Sequence, residues 1–313
     1  MYFPYLRGRK YELLALQELA AKNCLGEHII PIIEPIKLSS TLVKTLDVFT
    51  KNNQSIAVIL NPMVGNFTVD FEDASENVYQ TRFLDLLQPP IIIKSLIMQH
   101  NVKPYLDALR KQNIEKESLL IIHTSRDYLG MYEKEFNSFS PRYVLIPDES
   151  TFRKKVHCHK VLLDDKFEKQ ARNSDYGKDP DGFFSDDHLY YIDDNFIGFS
   201  DFSIVGNEYL ESGFAPRAVA IHIVYFDGEN NLRIRHFVSD SNEDSKNPAG
   251  KFYEAVSKLY HWYGTTETSL KMTLGLQSFL QHYKDQSYPG LGTVKKLSIM
   301  HHLELMGNYL NGV

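Results

Sequence analysis

The chain has 313 residues, of which 43% are hydrophobic and 24% charged, and its formal net charge is −6 at pH 7. This composition provides enough apolar side chains for a large core and argues against wholesale disorder. The negative net charge argues against a broad nucleic-acid-binding surface, because such surfaces are basic. Only local binding is left, for example at the basic stretch around Arg7, Arg9 and Lys10.

Two cysteines, Cys24 and Cys158, are too few for a disulfide scaffold and have no Cys-x-x-Cys spacing. A reducing compartment is therefore the default. The charged N-terminus does not resemble a signal peptide, and no apolar run approaches the roughly 18 to 20 residues that span a bilayer. These features predict a cytoplasmic protein with no membrane segment.

One short pattern recurs along much of the chain: an apolar run that ends on a polar or ionisable side chain. The clearest example is HIIPIIEP at residues 28–35, where two prolines exclude a helix and Glu34 ends the run. The same reading gives the predicted strands Tyr2 to Leu6, Ile29 to Glu34, Ser55 to Asn61, Ser95 to Gln99, Ser118 to His123, Tyr143 to Asp148, Lys160 to Asp165 and Ile197 to Phe202. The fourth strand is ambiguous, because residues 91–99 also read as one long strand; we favour the start at Ser95.

Helical patterns with apolar faces separate these runs. They are predicted at Tyr11 to Asn23, Ser39 or Ser40 to Lys51, Val102 to Gln112, Ser125 to Asn137, Ser150 to Val156 and Lys166 to Ser174. A further, longer helical stretch follows a loop at Met63 to Thr68 and ends at about Gln88. The spacing from strand to strand is roughly 20 to 35 residues, which a strand, a helix and two turns require. Parallel strands are therefore expected.

The alternation predicts an α/β fold, a (β/α)8 TIM-like barrel, in a single domain over residues 1–313. Barrel strands and helices take about residues 1–205, with a long loop at 175–194. A β-hairpin, Ala218 to Phe226 and Leu232 to Val238, is inserted at about 215–240. Extra C-terminal helices fill about 247–313, at Asn247 to Tyr263, Thr268 to Lys284 and Val294 to Leu310.

In such a barrel the active site lies at the carboxyl ends of the strands. Candidate catalytic residues there are Glu34, His123, Asp148, Asp165 and Asp201, and candidate ligand-binding residues are Arg7, Arg9, Asn61 and Gln99. Carboxylates with a histidine suit Mg²⁺ or Mn²⁺, or divide acid and base roles, and arginines suit an anionic ligand. The sequence leaves open whether any metal binds. Capping of the following helix explains any single one of these polar residues equally well.

Four segments together resemble the beta family, which is named for a phage beta protein and occurs in phages and bacterial genomic islands. They are YFPYLRGRKYELLALQEL, IIPIIEPIK, GFSDFSIVG and GLGTVKKLSIMHHLEL. The resemblance is to the branch with an N-terminal Y-L-R-G-[RK] signature, and it implies a β/α barrel. The positions that match the motifs are Arg7, Gly8, Arg9, Glu12, Glu34, Pro35, Asp201, His301, His302 and Glu304. The match adds His301 and His302 to the candidate ligand-binding residues.

No biochemical activity is assigned to that family, but members of this branch tend to be encoded beside a small nuclease-like protein. The resemblance therefore implies a component of a phage-defence or conflict module, whose barrel mouth recognises an anionic or nucleotide-like ligand or a partner segment and acts with a nuclease-like partner. The alternative is a divalent-metal-assisted hydrolase or lyase acting on a phosphorylated or nucleotide-like substrate.

Overall fold

A computed structural model describes residues 1–73, 78–211, 215–265 and 271–312 of the protein. The strands within these ranges are β1 (Tyr5–Leu6), β2 (Ile32–Ile33), β3 (Ile56–Ile59), β4 (Ile92–Ile97), β5 (Leu120–Ile122), β6 (Tyr143–Ile146), β7 (Lys160–Leu163), β8 (Asp181–Ser185), β9 (Gly198–Ser200), β10 (Ala220–Phe226) and β11 (Leu232–Val238). The α-helices are α1 (Lys10–Ala21), α2 (Ser40–Lys51), α3 (Phe67–Asp73), α4 (Val78–Leu86), α5 (Val102–Lys111), α6 (Leu129–Phe136), α7 (Ser150–Lys155), α8 (Asp187–Tyr190), α9 (Pro248–Thr265), α10 (Leu274–Lys284) and α11 (Leu291–Leu310).

Eight of the strands, β1 to β7 and β9, lie side by side in chain order and run parallel. Hydrogen bonds also join the first and the last of them: the amide of Phe3 donates to the carbonyl of Phe199 and that of Tyr5 to the carbonyl of Asp201, both at 2.8 Å. The sheet is thus a nearly closed barrel with helices between its strands, and the predicted (β/α)8 fold is confirmed.

Side chains alternate along each barrel strand between two apolar layers. One layer fills the barrel and includes Tyr5, Ile32, Ile59, Leu120 and Phe202. The other lies between the strands and the surrounding helices, and it continues into the C-terminal part of the chain. This alternation decides which polar side chains at the strand ends can reach the barrel mouth.

Two sequence predictions about the barrel elements are wrong. The fourth strand is one long strand, β4, that begins at Ile92 instead of Ser95. The helix predicted at Lys166 to Ser174 does not form. Phe167 packs against Tyr176, and the Lys166 ammonium pairs with the carboxylates of Asp164 at 2.8 Å and Asp187 at 3.0 Å. These tertiary contacts override a helical pattern that is weak on its own.

The inserted hairpin, β10 and β11, forms as predicted and stays outside the barrel. It belongs to an antiparallel sheet in the order β10, β11, β8. Its third strand, β8, lies in the segment 175–194 that was predicted to be a loop, together with a 3-10 helix (Asn173–Gly177) and α8. The loop prediction is therefore wrong for this segment, because β8 completes the sheet.

Helices α9, α10 and α11 follow the hairpin, as the sequence predicts. The start predicted for the second of them, Thr268, lies outside the described residues. Helix α11 packs between α1, α10 and β10, so it joins the hairpin sheet to the barrel. Among the described residues, no helix has both the length and the apolar composition needed to cross a bilayer.

Candidate functional site at the carboxyl ends of the barrel strands

An ion pair between Arg7 and Glu34 lies at the carboxyl ends of β1 and β2. The Arg7 guanidinium donates to Oε2 of Glu34, and the Tyr5 hydroxyl donates to the same oxygen at 2.7 Å. The amide of Met63 donates to Oε1 at 2.7 Å. Glu34 is fully buried, so its charge needs these partners. Oε2 accepts two of these hydrogen bonds and Oε1 accepts one, so both oxygens already have donors.

Gly8 explains how the two strand ends approach each other. Its φ of +63° lies in the left-handed region, and a Cβ there would be 3.0 Å from the Glu34 carbonyl oxygen and 3.3 Å from Cα of Pro35. A larger residue would push the turn after β1 away from the end of β2. The sequence Arg7-Gly8-Arg9 thus places one arginine against Glu34 and the other outside it on the rim.

The segment of residues 207–210, hereafter the strap, is fastened to this rim by both arginines. Nη2 of Arg7 donates to the carbonyl of Asn207 at 2.6 Å, and Nη2 of Arg9 donates to the carbonyl of Leu210. The Arg9 guanidinium also lies over the ring of Tyr209, 4.9 Å from its centre. The strap was not predicted from the sequence. A side chain of the strap also holds it, since the Glu208 carboxylate pairs with the Lys169 ammonium at 2.9 Å.

Asp165 fastens the strap from the opposite side. Its Oδ2 accepts a hydrogen bond from the amide of Asn207 at 2.8 Å, and its Oδ1 accepts one from the amide of Phe167 at 3.3 Å. Asp165 at the end of β7 and Arg7 at the end of β1 therefore both bind the main chain of Asn207, which lies between them.

Asn61 and Gln99 are buried at the ends of β3 and β4, and both are used by the sheet. The Asn61 side chain donates to the carbonyl of Ile97 at 2.8 Å and accepts from its amide at 2.9 Å. Nε2 of Gln99 donates to the carbonyl of Asn61 at 2.8 Å. Asn61 thus continues the hydrogen-bond ladder between the two strands beyond its regular end.

His123 does not reach the mouth, so its predicted place is wrong. Leu120 and Ile122 face the barrel interior, and the alternation turns His123 toward the helices, between the rings of Tyr132 and Phe152. The imidazole is buried, and neither ring nitrogen has a hydrogen-bond partner among the described residues. Burial lowers the pKa of His123 to about 3. It is a neutral packing residue.

Asp201 also faces away from the mouth, because its neighbour Phe202 takes the inward position. The Tyr2 hydroxyl and the amide of Ser203 both donate to its Oδ1 at 2.7 Å. Burial raises the pKa of Asp201 to about 7. The predicted position at the end of the eighth strand is correct, but the predicted direction is wrong.

His301 and His302 lie on α11, fully buried, and contact different groups. Nδ1 of His302 is 2.9 Å from Oγ of Ser203. His301 makes its ring contacts to Oγ1 of Thr273 at 2.7 Å and the carbonyl of Val224 at 2.8 Å. Burial lowers the pKa of His302 to about 3 and of His301 to about 4. Neither side chain lies at the barrel mouth, and their role as ligand-binding residues stays a prediction.

Asp148 is separate from the other predicted site residues. Its carboxylate is exposed and pairs with the Arg153 guanidinium of α7. Among the described residues, no three His, Cys, Asp or Glu side chains are placed to hold a metal ion together. The expectation of Mg²⁺ or Mn²⁺ stays a prediction, and the ligands named for it are not preassembled.

The residues brought together at the mouth are therefore Arg7, Arg9, Glu34 and Asp165, with Asn61 and Gln99 beneath them in the sheet. Reasoning from the sequence missed Tyr5, although the strand alternation of Tyr2 to Leu6 and the neighbouring Arg7 give a signal for it. Comparison with family models, with curated proteins and with solved structures found no match for the chain. The resemblance to the beta family thus rests on its sequence motifs.

Proposed function

We propose that this protein is a binding barrel whose rim, at Arg9 and the strap, recognises an anionic ligand or an anionic partner segment. The observation that carries the proposal is the state of Arg9. Among the described residues, no carboxylate forms an ion pair with its guanidinium, which donates to the Leu210 carbonyl and lies over Tyr209. Arg7 is different, because Glu34 balances its charge.

An incoming phosphate or carboxylate would offer Arg9 a stronger acceptor than the Leu210 carbonyl. The present bond already has an ionised donor, but an anion adds a full opposite charge, and its two oxygens can accept two parallel hydrogen bonds from the guanidinium. The anion would replace that carbonyl, and the strap would then be released at its Leu210 end. Arg7 and Asp165 would keep the Asn207 end in place. Ligand binding would therefore cause a local movement of the strap at its Leu210 end.

A movement of this kind fits the role that the beta-family resemblance implies. In that role the barrel acts with a nuclease-like partner in phage defence. The position of the strap would then signal to the partner that an anion is bound. The metal-assisted hydrolase or lyase has less support. Its carboxylates are dispersed, and the one that pairs with Arg7, Glu34, already accepts three hydrogen bonds within the barrel.

The binding test compares Arg9→Ala and Arg9→Lys with the parent protein. Calorimetry and melting curves would use inorganic phosphate, AMP, ATP and citrate as probes. Arg142→Ala is the control, because the Arg142 guanidinium also lies over a tyrosine ring, 5.5 Å from its centre, but Arg142 precedes β6 at the opposite end of the barrel. We expect at least one probe to raise the melting temperature of the parent and of Arg142→Ala, with at least tenfold weaker binding by Arg9→Ala.

Equal binding by Arg9→Ala and the parent would contradict the proposal, as would the failure of every probe to bind. The defence role has a separate test. Cells that express the protein together with the proteins encoded beside it would be challenged with phage, and plaques counted. We expect protection from the parent and from Arg142→Ala, and loss of protection with Arg9→Ala. Equal protection by all three would remove the link between the rim and defence.

A further inference from the structure

A cavity lies on the outside of the barrel, away from Arg7 and Arg9 in the sequence. Its volume is about 380 Å³, and it opens between the outward face of β4 and helices α3, α4 and α5. Three phenylalanines form one wall, with ring centres 5.4 Å (Phe67 to Phe83), 5.8 Å (Phe67 to Phe71) and 5.9 Å (Phe71 to Phe83) apart. Leu84, Leu87 and Leu109 extend this apolar lining.

One cationic side chain, that of Lys94, lines this mostly apolar cavity. The lining also holds one carboxylate, that of Glu72, which is exposed and forms no ion pair with Lys94. In β4 the neighbouring positions Ile93 and Ile97 face the barrel interior, so Lys94 faces the helices. It is half-buried, and it forms no ion pair or hydrogen bond within the part of the chain that the structure describes. Burial lowers its pKa from the ordinary value. A lysine in such surroundings is costly unless a partner offsets its charge.

We propose that this cavity binds a small amphipathic carboxylate, such as a medium-chain fatty acid, with its chain against the phenylalanines and its carboxylate on Nζ of Lys94. An engineered apolar cavity of about 150 Å³ is enough to hold benzene, so about 380 Å³ leaves room for an acyl chain. The charge complementarity selects the carboxylate: an apolar lining alone would accept a neutral chain equally well.

The competing explanation is that Lys94 lays its methylene stem along the apolar wall and extends its ammonium to water. This explanation needs no ligand. The two differ in one measurable respect. If Lys94 binds a carboxylate, its charge contributes to affinity for a fatty acid and not for the corresponding alcohol.

Calorimetry with decanoate, 1-decanol and decyltrimethylammonium, below their aggregation concentrations, separates the two explanations. Lys94→Met removes the charge and keeps the length of the side chain. Lys103→Met is the matched control, because Lys103 is an exposed lysine of α5 that does not line the cavity. Ala108→Trp is a second variant, which fills the cavity from an exposed position on α5 and leaves Lys94 unchanged.

We expect the parent and Lys103→Met to bind decanoate at least tenfold more tightly than 1-decanol, and decyltrimethylammonium more weakly still. Lys94→Met should lose this preference while keeping its affinity for 1-decanol, and Ala108→Trp should lose both ligands. Equal binding of decanoate by Lys94→Met and the parent would overturn the proposal. The absence of decanoate binding would also overturn it. One such case is a dimer in which a second copy of the chain covers the cavity; Ala108→Trp would then abolish concentration-dependent dimerisation.

Discussion

The hydroxyl of Tyr2 donates a 2.7 Å hydrogen bond to the carboxylate of Asp201, which is 199 positions further along the chain. Both groups are buried between the barrel and the C-terminal part of the chain. The bond lies where the first and eighth strands meet, so it joins the two edges of the sheet. It also holds a carboxylate whose pKa is raised to about 7 by burial.

Asp201 should make stability depend on pH. Its pKa is about 7 in the folded protein and about 3.9 when unfolded, so the folded state binds its proton more tightly. The resulting stabilisation is complete below about pH 4 and is lost as pH rises to about 7, with a slope of at most about 1.4 kcal/mol per pH unit. Urea unfolding of the parent and of Asp201→Asn at several pH values measures it. The difference in the free energy of unfolding, parent minus variant, should decrease as the pH rises from 4 to 7.

Tyr2→Phe should destabilise the protein by about 1 to 3 kcal/mol at pH 8, because the ionised Asp201 then loses one of its donors. The loss should be smaller at pH 5, where Asp201 is protonated in the folded state. Tyr190→Phe provides the control, since Tyr190 is 51% exposed. An effect of Tyr2→Phe that is the same at both pH values would show that Asp201 does not titrate in this range.

His123→Phe should stabilise the protein. The imidazole is buried between two aromatic rings with both nitrogens unsatisfied among the described residues, and phenylalanine has a similar size without polar atoms. We expect a gain of about 1 to 3 kcal/mol in the free energy of unfolding at pH 7. The gain should grow as pH falls from 6.5 toward 3, because the unfolded histidine is protonated there and the folded one is not.

The exposed His157, changed to glutamine, serves as the control for His123→Phe. It should leave the free energy of unfolding unchanged at pH 7. Destabilisation by His123→Phe would indicate that the imidazole has a partner, such as a bound water, that phenylalanine cannot replace.

Arg7→Ala should destabilise the protein by about 3 to 5 kcal/mol, because it leaves the buried Glu34 charge without its cation. Adding Glu34→Gln should recover much of this loss, since the remaining amide is neutral. Chemical denaturation of the two single variants and the double variant gives the coupling energy between the residues. Additive effects of the two substitutions would contradict an ion pair in solution.

Gly8→Ala should destabilise the protein by about 1 to 3 kcal/mol, because alanine is strained at a φ of +63° and its Cβ would lie 3.0 Å from the Glu34 carbonyl oxygen. Gly130→Ala is a matched control in α6, where an added Cβ has no neighbour within 4 Å. It should stabilise the protein by about 0.5 to 1 kcal/mol. Melting temperatures of the two variants should therefore move in opposite directions.

The sequence by itself determined the type and order of the barrel strands and the hairpin. Runs such as IAVIL in residues 56–60 and VLIP in residues 144–147 are apolar throughout, which parallel strands covered on both faces require. The hairpin alternates around a short polar turn. It also determined that Arg7, Glu34, Asn61, Gln99 and Asp165 lie at one end of the sheet, because all parallel strands end there. These properties depend on local composition and on chain direction.

Only the tertiary structure decided which way each polar side chain at that end points. His123 and Asp201 come directly after their strands, as Glu34 does, but a shift of one residue turns a side chain to the other face. Residues of other elements hold these side chains in their direction. Tyr132 and Phe152 pack against His123, and Tyr2 donates a hydrogen bond to Asp201. The strap and the strand β8 were decided in the same way, since residues far along the chain hold both: the two arginines hold the strap, and β11 pairs with β8.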